Sequence, residues 1–264
     1  AANAIVHVCD DIACRTKGAE AVCAQFERAY GPAGSKWERS NCLGLCERAP
    51  AALVQMVGIG GSEVAISPVN EHHVVALTAG DPMSAGRASA DSAPQTRDVR
   101  TRDDLRLLRR VGVVDPRSID DYRANGGYEA LRSALELGPS GVIREVTDAK
   151  LLGRGGAAFP TGVQWQAVAT QPGRPHHFVC TADASEPGTF KDRALLENDP
   201  FAVLEALTIA GYATGAERGY VYIRGEYPLA TRLVEEAVEQ ARARGFLGDD
   251  VMGEGVRFDV EIRR

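Results

Sequence analysis

Apolar positions along the first eighty residues change rhythm several times. Ile5, Val6 and Val8 make a short β-type run that ends at Cys9. Ala19, Val22, Cys23, Phe26 and Tyr30 then recur at helical spacing, and Gly31 is placed to end that helix. Ala51 to Val57 and Glu63 to Ser67 read as two strands joined by a Gly-rich turn. Asn70 is placed to cap a last helix that carries Val74, Val75 and Leu77. The order strand, helix, two strands, helix predicts a small α/β layer.

The later part of the chain opens with helical spacing over Asp104 to Arg110, Ser118 to Ala124, Tyr128 to Leu137 and Ser140 to Leu151, with Pro139 near a helix start. A Gly-rich loop follows, then a helix around Gly162 to Ala169 and a strand over His177 to Thr181. Asp199-Pro200 starts a helix over Phe201 to Tyr212, and Gly219 to Ile223 is a second β-type run. Leu229, Leu233, Ala237, Val238 and Ala241 share one helix face that Gly245 ends, and Val256 to Ile262 is a third strand. Strands alternating with helices imply a largely parallel α/β sheet.

Between these parts, residues 81–102 are rich in Ala, Ser, Pro and charge and lack an apolar period, which reads as a linker. The expected division is therefore 1–80, a linker, and 103–264. Composition narrows the class. Hydrophobic residues at 44% and charged residues at 25% of 264 fit a folded chain. A net charge of -6 argues against a nucleic-acid binder. No apolar run approaches the ~18 residues of a membrane span. Ala1 to Val8 lack the basic region and apolar core of a secretory signal, so a cytoplasmic location is expected.

Cysteine is the informative residue. Cys9, Cys14, Cys23, Cys42 and Cys46 lie in the first 46 positions, and Cys180 stands apart. A chain this long and apolar needs no disulfide staples, so clustered thiols point to metal. CDDIAC and SNCLGLC each place a cysteine pair where a strand leaves into a loop, so both pairs can converge at one sheet end. Four thiolates suit a [2Fe–2S] cluster, two on each iron. Zinc is the alternative, though a spacing of two is commoner there. Cys23 falls on the apolar helix face and reads as core, as does Cys180 at a strand end.

Three further runs carry candidate chemistry. LLGRGGAAFPTG spans Leu151 to Gly162; Gly153, Gly155 and Gly156 free the backbone to approach a ligand, ahead of a helix N-terminus, and Arg154 adds a cation. Alone, this reads equally well as a tight connection. CTADASEPGTFKDR puts Asp183 and Glu186 after a strand, where carboxylates can accept from a ribose or ribityl chain; Lys191-Asp192 reads as a solvated pair. In YVYIRGEY, Arg224 and Glu226 read as a structural pair.

VHVCDDIACRTKGAEAV with SNCLGLCERAPAALV resembles the thioredoxin-like [2Fe–2S] ferredoxin family over roughly residues 4–79, its four ligands matching Cys9, Cys14, Cys42 and Cys46. GRGGAAFPTGVQW, ADASEPGTFKDR and YVYIRGEY resemble the 51-kDa-type flavoprotein of respiratory complex I over roughly 103–264. That module is also the diaphorase subunit of NAD-reducing hydrogenases and NAD-dependent formate dehydrogenases, and DPRSIDDYRANGGYEAL leans towards the formate dehydrogenase β subunit. The implied fold is α/β: a thioredoxin-like ferredoxin domain plus a partial Rossmann-like flavoprotein domain. The implied cofactors are a [2Fe–2S] cluster, FMN and NAD(H). By position, Gly153, Arg154, Gly155 and Gly156 would hold FMN, with Gln164, Thr181, Asp183 and Ser185 beside it. Phe159 and Glu186 would face the nicotinamide nucleotide. Implied partners are other iron–sulfur and catalytic subunits of a redox complex.

The sequence departs from that pattern in three places. Gln164 stands where the family usually has Lys, and Thr181, Ala182, Asp183 and Ala184 stand for Asn-Ala-Asp-Glu. Beyond Arg264 the family continues with pocket-completing runs, a ubiquitin-like domain and a [4Fe–4S] domain, so a [4Fe–4S] cluster is expected only with such a continuation. The chain is then a fragment or a shortened relative. The other reading is a flavin-less iron–sulfur relay or scaffold subunit.

Overall fold

The computed structural model describes residues 3–34, 36–57, 62–78 and 105–264. The expected linker and the Gly-rich turn after Val57 lie outside them. Two compact units form. One comprises residues 1–99 with 184–194 and 224–229; the other comprises 100–183, 195–223 and 230–264.

In the first unit the chain runs β1 (Asn3–Cys9), α1 (Ile12–Arg15), α2 (Ala19–Tyr30), β2 (Trp37–Ser40), β3 (Ala52–Val57), β4 (Glu63–Ile66) and α3 (Glu71–Thr78). The sheet order is β2-β1-β3-β4, with β1 parallel to β2 and antiparallel to β3. Strand β2 was not expected. WERS is short and mostly polar, so it carries no alternation to read. Trp37 holds it in place, buried against Val22, Phe26 and Val54 with its Nε1 donating to the Gly31 carbonyl at 2.8 Å. Cys23 lies fully buried in the same core, as its place on the apolar face of α2 predicts. At the start of α3, the Asn70 side chain accepts from the His73 N–H, the expected cap.

The remainder of the chain supplies α4 (Ile119–Ala124), α5 (Glu129–Asp148), α6 (Thr161–Ala169), β5 (His176–Ala182), α7 (Lys191–Asn198), α8 (Pro200–Thr214), β6 (Ala216–Ile223), α9 (Pro228–Ala243), β7 (Gly248–Val251) and β8 (Val256–Arg263). The second unit's sheet has the order β5-β6-β8-β7, with β5, β6 and β8 parallel and β7 antiparallel at the edge. This is the expected α/β sheet. The two helices expected on either side of Pro139 are one element broken at Gly138, where φ is 74°.

Residues 105–110 correct the helix expected over Asp104 to Arg110: they form turns. A run this short does not hold a helix alone, and with Leu107 exposed and Leu105 and Leu108 only half-buried, little apolar face supports one. Arg110 instead reaches Asp199, its Nε donating to Oδ2 at 2.8 Å.

Helix α5 is capped from a distance. Tyr128, just before it, has a left-handed backbone and no capping side-chain bond of its own. The buried Glu205 carboxylate of α8 accepts from the Tyr128 N–H at 2.8 Å, the Leu131 N–H at 3.0 Å and the Tyr122 hydroxyl. A negative charge there satisfies orphan donors and opposes the positive end of the helix dipole.

Candidate functional site

Strands β1 and β2 run parallel with Cys9 opposite Ser40, so Cys9 and the loop that follows Ser40 leave the sheet at the same end. Cys9 and Cys14 pack in one apolar cluster with Leu43, Leu45, Ala51 and Leu53, which brings the Cys42–Cys46 loop onto the first cysteine pair. The Cys42 and Cys46 sulfurs are 3.3 Å apart, and Cys9 and Cys14 share a hydrogen bond. None of the six cysteines forms a disulfide.

Each of the four sulfurs also receives a backbone donor. Gly44 N–H points at Cys42 Sγ at 3.4 Å and Gly188 N–H at Cys46 Sγ at 3.2 Å. Asp11 and Leu43 donate to Cys9, and Ala51 donates to Cys14. The hydrogen bond from Cys14, helped by those backbone donors, brings the Cys9 thiol down to about 6 against its burial. The same bond and burial push Cys14 well above the ordinary thiol range. Burial and then the bond to Cys42 push Cys46 up to about 11. A thiolate and a thiol in contact share one proton, and a metal binding there displaces it.

Among the described residues no group of three or more His, Cys, Asp or Glu side chains converges on a single ion. The sulfurs come as two pairs. Two pairs of soft sulfur donors fit a centre of two irons with two thiolates each.

The glycine loop is built as a small hairpin. Leu152 bridges to Pro160, Gly153 N–H donates to the Phe159 carbonyl at 2.9 Å, and Thr161 N–H donates to the Leu151 carbonyl at 2.9 Å. The turn leads directly into α6. Two of its glycines have opposite explanations. A Cβ on Gly162 would lie 2.1 Å from Thr147 Oγ1 and 2.9 Å from the Thr147 backbone, so Gly162 lets α6 pack on α5. A Cβ on Gly155 would meet nothing within 4 Å, and its backbone is not left-handed. The fold gives no reason for glycine at 155; its bare backbone is open to a ligand.

Phe159 and Gln164 line an open groove of about 490 Å³ along α6 with Val163 and His176, a volume within the range of small-molecule sites. Thr181 is exposed on β5 and Asp183 follows its carboxyl end; neither lines that groove. Arg154 and the loop glycines are exposed. Ser185 and Glu186 are exposed too, but they group with the cysteine unit, in the turn whose Gly188 faces Cys46. Sequence reasoning missed this turn, and the contacts of Arg193 with the Gly44 carbonyl and of Arg224 with the Cys42 carbonyl, because nothing in the sequence tells which loop the segments after β5 and β6 meet.

Two family models match the chain. Residues 1–63 match the thioredoxin-like [2Fe–2S] ferredoxin and residues 146–264 match the Nuo51 FMN-binding domain. Each match covers less than half of the chain, one resembling a [2Fe–2S] ferredoxin and the other an FMN-binding domain. The cofactors of these two domains are a [2Fe–2S] cluster and FMN. Over 156 residues, 59% of this chain, it is 47% identical to an NADH-quinone oxidoreductase subunit of Aquifex aeolicus (strain VF5), spanning 36% of that protein. It is also 47% identical over 155 residues to the NADP-reducing hydrogenase subunit HndC of Solidesulfovibrio fructosivorans, spanning 31% of it. A chain of an NAD+-reducing [NiFe]-hydrogenase in the air-oxidized state shares the fold over 99% of this chain, with a TM-score of 0.70 at 24% identity; 43% of that chain is covered. The chain thus spans less than half the length of these relatives. In the ferredoxin domain the paired sulfurs and their N–H donors fit the cluster, and in the flavin domain the bare backbone at Gly155 fits a phosphate-bearing ligand. No described helix is long and apolar enough to cross a membrane.

Proposed function

We propose that this chain is the NAD(H)-linked, FMN-containing electron-transfer part of a multisubunit dehydrogenase of the diaphorase type, passing electrons between NAD(H), FMN and a [2Fe–2S] cluster held by Cys9, Cys14, Cys42 and Cys46. The observation that carries this reading is the pairing, in one chain, of two N–H-supported thiol pairs with a glycine hairpin whose openness the fold does not require. The names of the relatives, an NADH-quinone oxidoreductase subunit and a hydrogenase subunit, support it.

Flavin, when bound, takes the two electrons of a hydride together and releases them singly, which joins nicotinamide chemistry to a one-electron centre. The protein's part is to bind, orient and shield. Backbone N–H groups at Gly155 and Gly156, with Arg154, offer an anion nest ahead of α6 for phosphate, and Gly153, whose own N–H closes the hairpin on the Phe159 carbonyl, lets the loop lie close to it. Thr181, Asp183 and Ser185 offer hydrogen bonds to a ribityl chain, and Phe159 and Glu186 serve the nicotinamide nucleotide. Gln164 replaces a cation of the family pattern with a neutral amide, which weakens the hold on a reduced, anionic flavin. No acid–base residue is needed for hydride transfer.

The terminal donor or acceptor belongs to other iron–sulfur and catalytic subunits, formate and hydrogen being the two candidates the sequence resemblance favours. A cytoplasmic setting belongs to this reading, because thiols kept ready for iron persist in a reducing compartment. One observation favours the second reading, a flavin-less relay. Ala184 is buried where the family pattern has a carboxylate, and its carbonyl accepts from Arg224.

Gly155→Ala separates the two. Stability is expected to change by no more than about 0.5 kcal/mol, because the new methyl meets nothing. FMN affinity, followed by quenching of flavin fluorescence, is expected to fall about tenfold, roughly the 1.4 kcal/mol of a crowded phosphate contact. An unchanged affinity removes the loop from the flavin site, and an unaltered chain that takes up no FMN selects the relay.

A further inference from the structure

Two guanidinium groups are buried against the loop between Cys42 and Cys46. Arg193 is 1% exposed and Arg224 is 9% exposed. Arg224 donates from Nη2 to the Cys42 carbonyl at 2.5 Å, from Nη1 to the Ala184 carbonyl at 3.3 Å, and from Nε to Glu226 Oε2 at 3.1 Å. Arg193 donates from Nε to the Gly44 carbonyl at 3.1 Å and pairs with Glu47 through Nη2. Tyr227 closes the other side: a Cβ on Gly44 would lie 2.2 Å from the Tyr227 hydroxyl oxygen, and the Arg224 guanidinium sits 5.5 Å from the Tyr227 ring centre.

A planar guanidinium is the group that can bind several carbonyl oxygens at once while carrying its charge into a buried place. The cost of burying such a charge is not explained by packing alone, since each arginine already has a carboxylate partner that could hold it nearer water. Glu226 is 34% exposed and Glu47 is 18% exposed at the side chain, so each ion pair is open to water mainly on its acidic side. The cationic ends reach inward, to the carbonyls of the cysteine loop.

We propose that Arg193 and Arg224 are positioning residues of the cluster site, fixing the Cys42–Cys46 loop through its carbonyls and biasing the bound cluster towards its reduced state with buried positive charge. This rests on the cluster reading given above. One-electron reduction turns a diferric centre with four thiolates into a mixed ferrous–ferric one and adds one negative charge; the electron comes from the mediator or electrode in the test below, and no bond is made or broken. A positive charge close to the site favours the more negative product.

The test is a mediated redox titration of the full chain, read by the EPR signal of the reduced cluster, with iron content measured on each sample. At the midpoint potential of the unaltered protein, Arg224→Gln is expected to lower the reduced-to-oxidised ratio about tenfold, a downward shift of about 59 mV for one electron. Arg224→Lys is expected to restore most of that ratio. Glu226→Gln keeps an acceptor for Arg224 but removes the opposing charge, and is expected to raise the ratio. That variant alters a half-exposed carboxylate, so it reads the charge effect even where Arg224→Gln fails to fold. An unmoved midpoint in Glu226→Gln, or equal midpoints for Arg224→Gln and Arg224→Lys in iron-loaded samples, overturns the proposal and leaves the cluster assignment standing. An unaltered protein with neither iron nor signal removes both.

Discussion

Cys42→Ser is expected to abolish the EPR signal of the reduced [2Fe–2S] cluster and to bring iron content close to zero. Cys42 is buried, lies 3.3 Å from Cys46, and accepts the Gly44 N–H. Serine at that place offers a hard oxygen with a far higher pKa than a thiol, so the soft donor set for two irons is broken. Cys23→Ala is the control. Its thiol is fully buried among Val22, Phe26 and Trp37, away from the cysteine-loop cluster, and burial pushes it up to about 11. That change is expected to cost about 1 kcal/mol of stability and to leave the signal intact. A surviving signal in Cys42→Ser, or a lost one in Cys23→Ala that is still folded, would overturn the ligand assignment.

The second large effect is on stability. Glu205→Ala is expected to destabilise the flavin-binding domain by about 3 to 5 kcal/mol, because three donors lose their acceptor in a dry place. Those donors are the Tyr128 and Leu131 N–H groups at the start of α5 and the Tyr122 hydroxyl. Helix α5 carries Thr147, against which Gly162 seats the helix that follows the glycine hairpin. Loss of the cap is therefore transmitted towards the candidate flavin loop. Thermal unfolding followed by circular dichroism should show a midpoint about 10 °C lower, taking roughly 2–4 °C for each kcal/mol in a domain of this size. Glu205→Gln keeps an acceptor oxygen and should lose less than half of that. Equal midpoints for Glu205→Ala and the unaltered chain would mean that the buried carboxylate is not the cap of α5.

Much of the candidate site was readable because its residues have few alternative uses. Four cysteines in two loops leaving one sheet end need only the positions of Cys9 and Cys42 relative to their strands. The glycine hairpin was equally visible, but its meaning was not: Gly162 is needed for helix packing and Gly155 is not, a distinction that appears only when a methyl is placed on each. Short elements escaped for a physical reason. Strand β2 is held by one buried tryptophan, and α7 by Arg193 and Leu196, which are buried from within a run that reads as polar. Conversely, the leucines and arginines of 105–110 have the spacing of a helix, but the run is short and its leucines are at most half-buried. The contacts least accessible to the sequence were those of Gly188, Arg193 and Arg224 with the cysteine loop, which bring together residues more than a hundred positions apart.

Electron relay by bound prosthetic groups is tested most directly by counting iron, acid-labile sulfide and flavin per chain in protein purified without oxygen. About two irons and two sulfides per chain are expected, the content of a [2Fe–2S] centre, together with extractable FMN. A folded chain that contains neither iron nor flavin would contradict it.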